Sequence, residues 1–406
     1  MRICIVARVV PAHAIGGMQD HTLDLARGLA AAGHDVDVVT ARHPEGREFE
    51  EAFGARWHYV DAPFDDFAHP AWRARSYEAF ARLGAGTPFD VVHGEGSSAL
   101  ELVRRGTHRA TPIVNMFHGN FVGLVEASLR RQLRARRPLA VLREQRGLLT
   151  LARRHFAKGN WRVFRACESI IPSRQQLVGT CRSHLLDSAR VHVVENGVDT
   201  SRFRPLPREE LRSRLGLPGG FLFVCAGRLN REKGFHHALQ ALARADGGMP
   251  DAKLLVVGEG AARPGLERLA ETLGIADRVV FAGAQPPARM PAYLAAADVF
   301  LFPTERDEAA PLVLPQAMAC GLPVVASRVG GIPEVIDAPG DNGLLVAPAD
   351  VGALIGAMTS VHGDVELRRR LAAAALARVE AAYTLERMVE RTCAVYELAL
   401  RRGLPG

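Results

Sequence analysis

Short apolar runs alternate with amphipathic helical patterns along the whole chain of 406 residues, and this alternation limits the fold more than any other feature. It is typical of parallel sheets whose strands are joined by crossover helices. A clear helix covers residues 20–32 and is predicted to end at Gly33, the residue type that most readily adopts a left-handed cap. Strands are predicted in the first half at residues 3–8, 36–40, 91–93, 113–117, 169–171 and 192–194.

The second half repeats this plan after a proline-containing stretch at residues 203–207. That stretch has few core-type residues and is the predicted linker between an N-terminal domain, residues 1–203, and a C-terminal domain, residues 204–384. Two doubly wound, Rossmann-like α/β domains are expected to face each other across a cleft, because ligands bind such sheets at the carboxyl edges of their strands. Strands are predicted in the second half at residues 221–226, 253–257, 279–282, 299–302, 324–327 and 344–346.

The composition excludes several classes of protein. Hydrophobic residues make up 48% and charged residues 23% of the chain, which is typical of a globular protein and not of a disordered one. No apolar run reaches the roughly 18 residues of a membrane-spanning helix, and residues 1–10 predict a buried strand and not a signal peptide. The scattered cysteines form no Cys-x-x-Cys pair, which argues against zinc and favours a reducing, cytoplasmic location. They are Cys4, Cys167, Cys181, Cys225, Cys320 and Cys393.

Two cations follow the first predicted strand of the second half. Arg228 and Lys233 lie between Gly227 and Gly234, where the carboxyl end of a strand meets the next helix. A guanidinium and an ammonium group that converge there can neutralise a diphosphate without a metal ion. The alternative is a solvated loop with a surface ion pair to Glu232, but the glycines at a strand end favour the phosphate site.

The first predicted strand of the chain also runs into a glycine pair, Gly16 and Gly17, which precedes a helix. Glycines let the backbone approach a ligand closely, and a helix N-terminus offers free N–H groups to an anion. An ordinary strand-to-helix turn explains the pair equally well. Because the pattern is not Gly-x-Gly-x-x-Gly, the dinucleotide fingerprint of a dehydrogenase is absent.

Three further side chains are candidates because they follow predicted strands. Glu308 precedes a helix that is predicted to start near Pro311, within reach of a ligand bound at the carboxyl edge of the sheet. Gln316 lies about one turn inside that helix, and helical side chains lean toward the N-terminus, so it is expected to point at the same ligand. His118 ends a strand beside a glycine, a position that favours a functional role over a structural one.

Taken together, these segments resemble the retaining glycosyltransferases of family 4, which share the two-domain GT-B fold. The resemblance extends over nearly the whole chain, and its segments occur in the correct order. It implies that the final helix, within residues 385–406, packs back onto the N-terminal domain. The other segments that carry it are residues 195–199 with Phe203 and Pro205, residues 256–260, residues 280–283 and residues 317–326.

The resemblance also implies roles for the candidate residues. Arg228 and Lys233 would hold the diphosphate of the donor, which Gly16 and Gly17 would touch from the other domain. His118 would face the reacting sugar. The stretch from Gly283 to Gln285 would frame the nucleotide base, and the donor site would also include Ala310, Pro311 and Leu312.

Glu308 would match the first acid of the family's Glu-x7-Glu motif and contact the donor sugar, whereas the second acid of that motif is Gln316 here. In the family this side chain accepts hydrogen bonds from the nucleotide ribose, and an amide can still accept through its oxygen. Hydrogen bonds to charged groups contribute about 1.5–3 kcal/mol against about 1 kcal/mol for neutral pairs. Nucleotide binding is therefore expected to survive in weakened form.

The function expected from these features is that of a cytoplasmic, metal-independent, retaining glycosyltransferase without a cofactor. It would move a sugar from a nucleotide diphosphate-sugar to a glycan or a lipid-linked precursor of a cell-surface polysaccharide or glycolipid. Asp35 and Asp37 mimic a metal-binding Asp-x-Asp, but they flank a core valine on a predicted strand, and no glycosidase-like acid pair is evident. Two alternatives stay open: a nucleotide-sugar epimerase on the same fold, and a nucleotide-binding pseudo-transferase that serves as an interaction module.

Positive charge is concentrated in residues 121–165, the basic segment. The basic segment holds twelve Arg or Lys and two acids, so its formal charge of +10 exceeds the +7 of the whole chain. Leucines between the arginines are compatible with an amphipathic helix that rests peripherally on an anionic membrane, or equally with a core helix whose arginines are solvated. Nucleic acid is not an expected partner, because aromatic residues make up only 6% of the chain.

Overall fold

The three-dimensional structure of the chain is a computed structural model. It describes residues 1–14, 16–65, 69–118, 161–175, 188–245, 247–336 and 342–402. The chain divides into two compact units: unit 1 is Met1–Gly197 together with Leu385–Gly406, and unit 2 is Val198–Thr384. Residues 119–160, which include nearly all of the basic segment, lie outside the described residues, so a membrane-facing helix there stays a prediction.

Unit 1 is built on one eight-stranded sheet. Its strands are β1 Arg2–Val6, β2 Asp35–Thr40, β3 Phe49–Ala52, β4 Ala55–Tyr59, β5 Val91–Glu95, β6 Ile113–Met116, β7 Glu168–Ile171 and β8 Val191–Val193, and the helices among them are α1 Gly17–Ala31, α2 Pro70–Gly84, α3 Leu100–Arg104 and α4 Trp161–Ala166. The strand order is β3-β4-β2-β1-β5-β6-β7-β8. All neighbours pair in parallel except β3 and β4, which are antiparallel.

The six strands predicted in the first half are all present, whereas β3 and β4 were not predicted. The helix predicted at residues 20–32 begins earlier, at Gly17, and ends at Ala31. Gly33 follows it with a φ of 83°, the left-handed conformation expected of a residue beyond a helix end. The central strand β1 pairs with β2 on one side and with β5 on the other. Strands β2 to β4 are therefore added on one side of β1, and β5 to β8 on the other side.

Unit 2 is built on a six-stranded sheet with the same design. Its strands are β9 Phe221–Ala226, β10 Ala252–Val257, β11 Val279–Gly283, β12 Val299–Phe302, β13 Val324–Ser327 and β14 Leu344–Val346, and its helices are α5 Arg208–Leu215, α6 Phe235–Arg244, α7 Arg263–Thr272, α8 Met290–Ala295, α9 Val313–Ala319, α10 Ile332–Ile336, α11 Val351–Gly363 and α12 Val365–Ala382. The six strands predicted in this half are all present. Every neighbouring pair is parallel, in the order β11-β10-β9-β12-β13-β14.

The order of strands in unit 2 places a topological switch point between β9 and β12. The chain starts in the middle of the sheet at β9, adds β10 and β11 on one side, and then crosses back to add β12, β13 and β14 on the other. The crossover helices that leave β9 and β12 therefore depart to opposite faces of the sheet, and a crevice opens at the carboxyl ends of these two strands. Ligands of open α/β sheets bind in such a crevice.

The predicted domain boundary at residue 203 is wrong, because the residues around it belong to unit 2. Val198 forms a parallel bridge to Thr384, and the amide of Val198 donates a 2.8 Å hydrogen bond to the carbonyl of Tyr383. Phe203 is only 4% exposed and packs in the hydrophobic core of unit 2. The chain thus leaves unit 1 after Gly197 and returns to it at Leu385.

The last helix, α13 Leu385–Arg402, is part of unit 1. It packs against α1 and contacts β6 and β7. Its buried face includes Met388, Val389 and Tyr396, which join the core cluster formed by β1, β2 and α1. Gly28 of α1 allows the two helices to approach closely, since a Cβ atom there would press against side chains of Leu385 and Val389.

Replacement of Gly28 by leucine is expected to destabilise unit 1 by about 1–3 kcal/mol, the usual cost of overpacking a core. All three tryptophans, at positions 57, 72 and 161, lie in unit 1, so the loss is measured as a shift of the tryptophan-fluorescence transition in urea. Gly86→Leu is the matched control, because Gly86 is an exposed glycine of the same unit, and a Cβ atom added there would meet nothing within 4 Å. Equal shifts for the two variants would contradict the close packing of α1 on α13.

Among the described residues, no helix is both long enough and apolar enough to cross a membrane. The described cysteines Cys4, Cys167, Cys225, Cys320 and Cys393 are free thiols.

Candidate functional site

The candidate residues predicted in the second half of the chain lie at the switch point of unit 2. Arg228 and Lys233 follow β9, and Glu308 follows β12, so all three lie at the carboxyl ends of adjacent strands. Glu308 and Lys233 are separated by a long stretch of chain, but the Nζ atom of Lys233 lies 2.7 Å from Oε1 of Glu308. Their side chains are only 18% and 14% exposed, so this ion pair is partly sheltered from water.

The two loops that carry this ion pair are fixed to each other by backbone hydrogen bonds. The carbonyl of Glu232 accepts from the amides of Glu305 at 2.8 Å and Arg306 at 3.2 Å, and from Oγ1 of Thr304 at 3.1 Å. Gly234 has a φ of 71°, and a Cβ atom there would collide with the carbonyl oxygen of Pro303. A glycine is therefore required where the turn after β9 meets the end of β12.

Lys233 has a second contact that helps to orient it. It ends a short 3₁₀ turn, Arg231–Lys233, and its Nζ atom lies 5.2 Å from the centre of the Phe302 ring. A cation at that distance from an aromatic face is attracted by the ring quadrupole. Lys233 is thus held between Phe302 and Glu308, and it is paired with Glu308 and not left in a solvated loop.

Arg228 differs from Lys233 because its side chain is exposed. No ion pair of Arg228 is present in the part of the chain that the structure describes. The backbone on both sides is fixed: Leu229 is fully buried, and its amide donates a 2.8 Å hydrogen bond to the carbonyl of Glu259. Arg228 therefore offers a guanidinium group with free donors on a rigid base at the end of β9.

The helix after Glu308 starts later than predicted. Helix α9 begins at Val313, and Pro311 precedes it in a turn in which the carbonyl of Pro311 accepts from the amide of Leu314 at 3.1 Å. The observed start is two residues after Pro311, a difference of the size that is usual at helix ends. Gln316 lies within α9 and is half-buried, while Ala310 is also half-buried.

The other predicted donor-binding residues lie near this edge of the sheet. Leu312 is buried. Gly283 ends β11 with a φ of 71°, and its carbonyl accepts a 2.8 Å hydrogen bond from the amide of Gly258 at the end of β10. Nε2 of Gln285 donates to the carbonyl of Ala282 at 2.6 Å. Gly283 and Gln285 are thus at the carboxyl edge, two strands from β9.

In unit 1, the glycine pair and His118 lie at the carboxyl edge of the other sheet. Gly16 is the N-cap of α1 in an extended conformation that any residue can adopt, and Gly17 is the first residue of the helix. His118 follows β6, and its Nε2 atom lies 2.6 Å from Oε2 of Glu95, the last residue of β5. The structure therefore gives His118 a carboxylate partner that the sequence analysis missed.

Glu95 is surrounded by three histidines. Its Oε1 atom lies 3.4 Å from Nε2 of His93 and 3.6 Å from Nε2 of His21. The rings of His21 and His118 meet edge to face with their centres 4.8 Å apart. Glu95 and His93 are two residues apart in β5, so their side chains lie on the same face of the sheet. Two polar residues at this spacing in a buried strand were the sequence signal that could have revealed the cluster.

The charges in this cluster are set by burial and by the histidine contacts. Burial opposes ionisation of Glu95, but its electrostatic contact and hydrogen bond with His118 and its contact with His93 hold the pKa of Glu95 well below its usual range. Burial lowers the pKa of His21 to about 3, against the attraction of Glu95. At neutral pH the cluster therefore contains a carboxylate beside an uncharged His21.

Two groups among the described residues place their potential metal-ligand atoms within 4.8 Å of one another. They are His21, Glu95 and His118 in unit 1, and His236, His237 and Glu305 in unit 2. Two ligands of one tetrahedral zinc ion stand about 3.3 Å apart. The 2.6 Å contact of His118 with Glu95 is that of a hydrogen bond, and so is the 3.0 Å contact of His237 with Glu305.

Asp37 of the discounted Asp-x-Asp pattern is buried and hydrogen-bonded to Arg56 and His58.

The two parallel-sheet α/β domains and their strand orders define the class of GT-B glycosyltransferases. The structure is similar to that of sucrose-phosphate synthase from Thermosynechococcus elongatus, with a TM-score of 0.79 and 24% identity over 99% of this chain and 100% of the other. That similarity supports the fold alone.

Two family models match complementary parts of the chain: "Glycosyltransferase Family 4" over residues 15–202 and "Glycosyl transferases group 1" over residues 207–378. The chain is 31% identical to 2-deoxystreptamine N-acetyl-D-glucosaminyltransferase of Streptomyces fradiae, over 99% of this chain and 96% of that protein. It is 38% identical to a GDP-mannose-dependent alpha-(1-6)-phosphatidylinositol monomannoside mannosyltransferase of Mycolicibacterium smegmatis, over 46% of this chain and 50% of that protein. The chain belongs to glycosyltransferase family 4.

Proposed function

We propose that this glycosyltransferase moves a sugar from a nucleotide diphosphate-sugar to a hydroxyl acceptor, with retention of anomeric configuration and without a metal ion. The observation that carries the proposal is the convergence of Lys233 and Glu308, with Arg228 beside them, at the switch point of unit 2. Cations at this place can neutralise a diphosphate, and a carboxylate beside them can bind sugar hydroxyls.

The mechanism assigns separate tasks to the three side chains. Arg228 has free donors and binds phosphate oxygens directly through its planar fork. The ammonium group of Lys233 contacts both Glu308 and the diphosphate, and it stabilises the negative charge that develops on the leaving group. Glu308 accepts hydrogen bonds from the donor sugar. The departing phosphate takes the proton of the acceptor hydroxyl, and the protein contributes positioning and electrostatic stabilisation.

The relatives support this assignment of substrates. The mannosyltransferase of Mycolicibacterium smegmatis is described as dependent on GDP-mannose and acts on a phosphatidylinositol mannoside. The transferase of Streptomyces fradiae acts on 2-deoxystreptamine. A nucleotide diphosphate-sugar donor fits the cationic site, and the acceptor is proposed to be a glycan or a lipid-linked polyol. No cofactor takes part in the proposed reaction, and the predicted contact of Gly16 and Gly17 with the donor is retained in the proposal.

A donor and acceptor screen tests the proposed function. UDP-, GDP- and ADP-sugars are each incubated alone, with lipid-linked glycans and with 2-deoxystreptamine, in the presence and absence of EDTA. The expected result is transfer in EDTA, with an anomeric proton coupling in the product that matches the donor. Turnover of a donor without any acceptor would favour the epimerase, and nucleotide binding without transfer would favour the pseudo-transferase. Transfer that requires a divalent ion would contradict the metal-independent mechanism.

Replacement of Gln316 by glutamate is expected to tighten nucleotide diphosphate binding by about tenfold, because a carboxylate accepts stronger hydrogen bonds from ribose hydroxyls than an amide does. Calorimetric titration with UDP and GDP measures the effect. Gln316→Met is the matched control, since it keeps the length of the side chain, removes the acceptor and is expected to weaken binding. Equal affinities for both variants would exclude Gln316 from the ribose site.

A further inference from the structure

A continuous series of polar contacts in unit 1 joins helix α13 to His118. The hydroxyl of Tyr396 lies 2.8 Å from Nδ1 of His93, Nε2 of His93 lies 3.4 Å from Oε1 of Glu95, and Oε2 of Glu95 lies 2.6 Å from Nε2 of His118. The side chains of Tyr396, His93 and Glu95 are nearly completely buried, whereas that of His118 is 18% exposed. Of the four residues, His118 is therefore the one that a ligand can reach.

The chemistry of these contacts fixes where the protons lie. An ionised carboxylate only accepts hydrogen bonds, so the Nε2 atom of His118, at 2.6 Å from Oε2 of Glu95, carries a proton. The Nε2 atom of His93 lies 3.4 Å from Oε1, which is an electrostatic contact and not a hydrogen bond, and the negative charge of Glu95 favours a proton on that nitrogen too. In a neutral imidazole the other nitrogen is then an acceptor. For His93 that acceptor is satisfied by the hydroxyl of Tyr396, which donates to Nδ1. In an uncharged His118 the Nδ1 atom keeps its lone pair, and it has no hydrogen-bond partner among the described residues.

We propose that Glu95, supported by His93 and Tyr396, holds His118 in the tautomer with a proton on Nε2, so that Nδ1 accepts a hydrogen bond from a hydroxyl of the reacting sugar. This inference rests on the proposed function and on the expectation from the family resemblance that His118 faces that sugar. Glu95, His93 and Tyr396 are positioning residues, because they act on the sugar only through His118.

His21 completes the arrangement by fixing the plane of the His118 ring. It stands edge to face against His118 and is uncharged at neutral pH, so it does not compete as a cation for Glu95. A ring whose tautomer and plane are both fixed presents its lone pair in one direction. Such orientation of a histidine by a buried carboxylate is the task that the aspartate performs in serine proteases.

The first test measures the tautomer directly in the unsubstituted protein. Two-bond ¹H–¹⁵N correlation spectra of protein labelled at histidine nitrogens distinguish the two tautomers, and the signals of His118 are assigned by their loss in His118→Gln. The expected result is a protonated Nε2 and an unprotonated Nδ1. A proton on Nδ1 of His118 would overturn the proposal, whether or not the enzyme transfers sugar.

The same spectra of Glu95→Gln supply a second readout. The side-chain amide that this substitution introduces has only one oxygen, so it cannot accept hydrogen bonds from both imidazoles through two oxygens as the carboxylate does. The expected result is a change of tautomer in His118 or in His93. Spectra in which neither ring changes would overturn the role of the carboxylate.

The third test connects the network to turnover. Tyr396→Phe removes the donor to His93 and is expected to lower kcat about threefold to tenfold, the effect of one hydrogen bond, with the KM for donor little changed. Glu95→Gln is expected to lower kcat by about 10- to 100-fold, less than in a serine protease because no proton is taken up by the histidine. The matched control is Tyr59→Phe, which removes a 3.0 Å bond to Glu50 in the same unit.

Kinetic outcomes separate positioning from general stability. A loss of activity in Tyr396→Phe that is matched by Tyr59→Phe, or that accompanies a lower melting temperature and an unchanged His118 spectrum, would overturn the proposal. So would normal turnover in His118→Gln of an enzyme that transfers sugar. Absence of transfer from the unsubstituted protein would instead contradict the proposed function, and the tautomer measurement would still decide the network.

Discussion

Alanine at position 228 or 233 is expected to lower kcat by about 10²–10³-fold, the loss typical of deleting one preorganised group that stabilises developing charge. Both side chains lie at the carboxyl end of β9, but the two substitutions remove different interactions. Lys233→Ala also leaves the carboxylate of Glu308 without its 2.7 Å partner. Arg228→Ala is the cleaner test, because Arg228 is exposed and has no ion pair in the described part of the chain. The measurement is initial-rate kinetics with the donor found in the screen.

Arg231→Ala is the matched control for both variants. Arg231 lies in the same turn and is exposed, but the proposed mechanism gives it no task. Its kcat is expected to stay within about twofold of the unsubstituted enzyme, since surface charges away from a site contribute little. Losses below threefold for both Arg228→Ala and Lys233→Ala would remove these residues from the diphosphate site.

The second large effect is expected from Asp298→Ala, which should destabilise unit 2 by about 3–5 kcal/mol, because it removes the closest carboxylate partner of a buried arginine. Oδ2 of Asp298 accepts from Arg212 at 2.7 Å and from the amide of Leu222 at 2.7 Å. Arg212 is itself buried and also donates to the carbonyl of Ala296. Asp298 is the residue before β12, so its hydrogen bond to Leu222 connects the starts of β9 and β12. This is the end of the two strands that lies opposite to the candidate site.

Hydrogen exchange of the β9 and β12 amides measures this destabilisation within unit 2, which contains no tryptophan. Protection of these amides is expected to fall by the same free energy, while the amides of β1 and β5 in unit 1 keep theirs. Asp277→Asn is the control, because Asp277 is exposed. If Asp298→Ala left the protection of β9 unchanged, the buried ion pair would not be what holds the two strands together.

The strands were largely predictable because buried parallel strands are short, continuous apolar runs. The two that were missed show the limit of this signal. Strand β3 reads Phe-Glu-Glu-Ala and lies at the edge of the sheet, and it pairs antiparallel with β4. Strand β4 alternates, with Arg56 and His58 directed at the buried Asp37. Neither strand is recognisable without knowing the partner across the sheet.

The candidate residues were predictable from their position after strands, but their partners were not. Lys233 and Glu308 meet because β9 and β12 are neighbours in space, and strand order is not written in local sequence. His118 was a candidate, whereas Glu95 was not, although β5 carries polar residues in a fully buried strand. The contact of Tyr396 with His93 could not be predicted for the same reason, since 303 positions in the sequence separate the two residues.

The path of the chain sets an order of events during synthesis. Unit 2 is a single continuous stretch whose two ends are held together by the bridge between Val198 and Thr384, so it can reach its final form while the ribosome is still translating. The first half of unit 1 is translated first, but its core is not covered until Met388 and Tyr396 of α13 have been translated. The nascent first half therefore keeps an apolar surface open until α13 has been translated, and chaperone dependence should be greatest for that half.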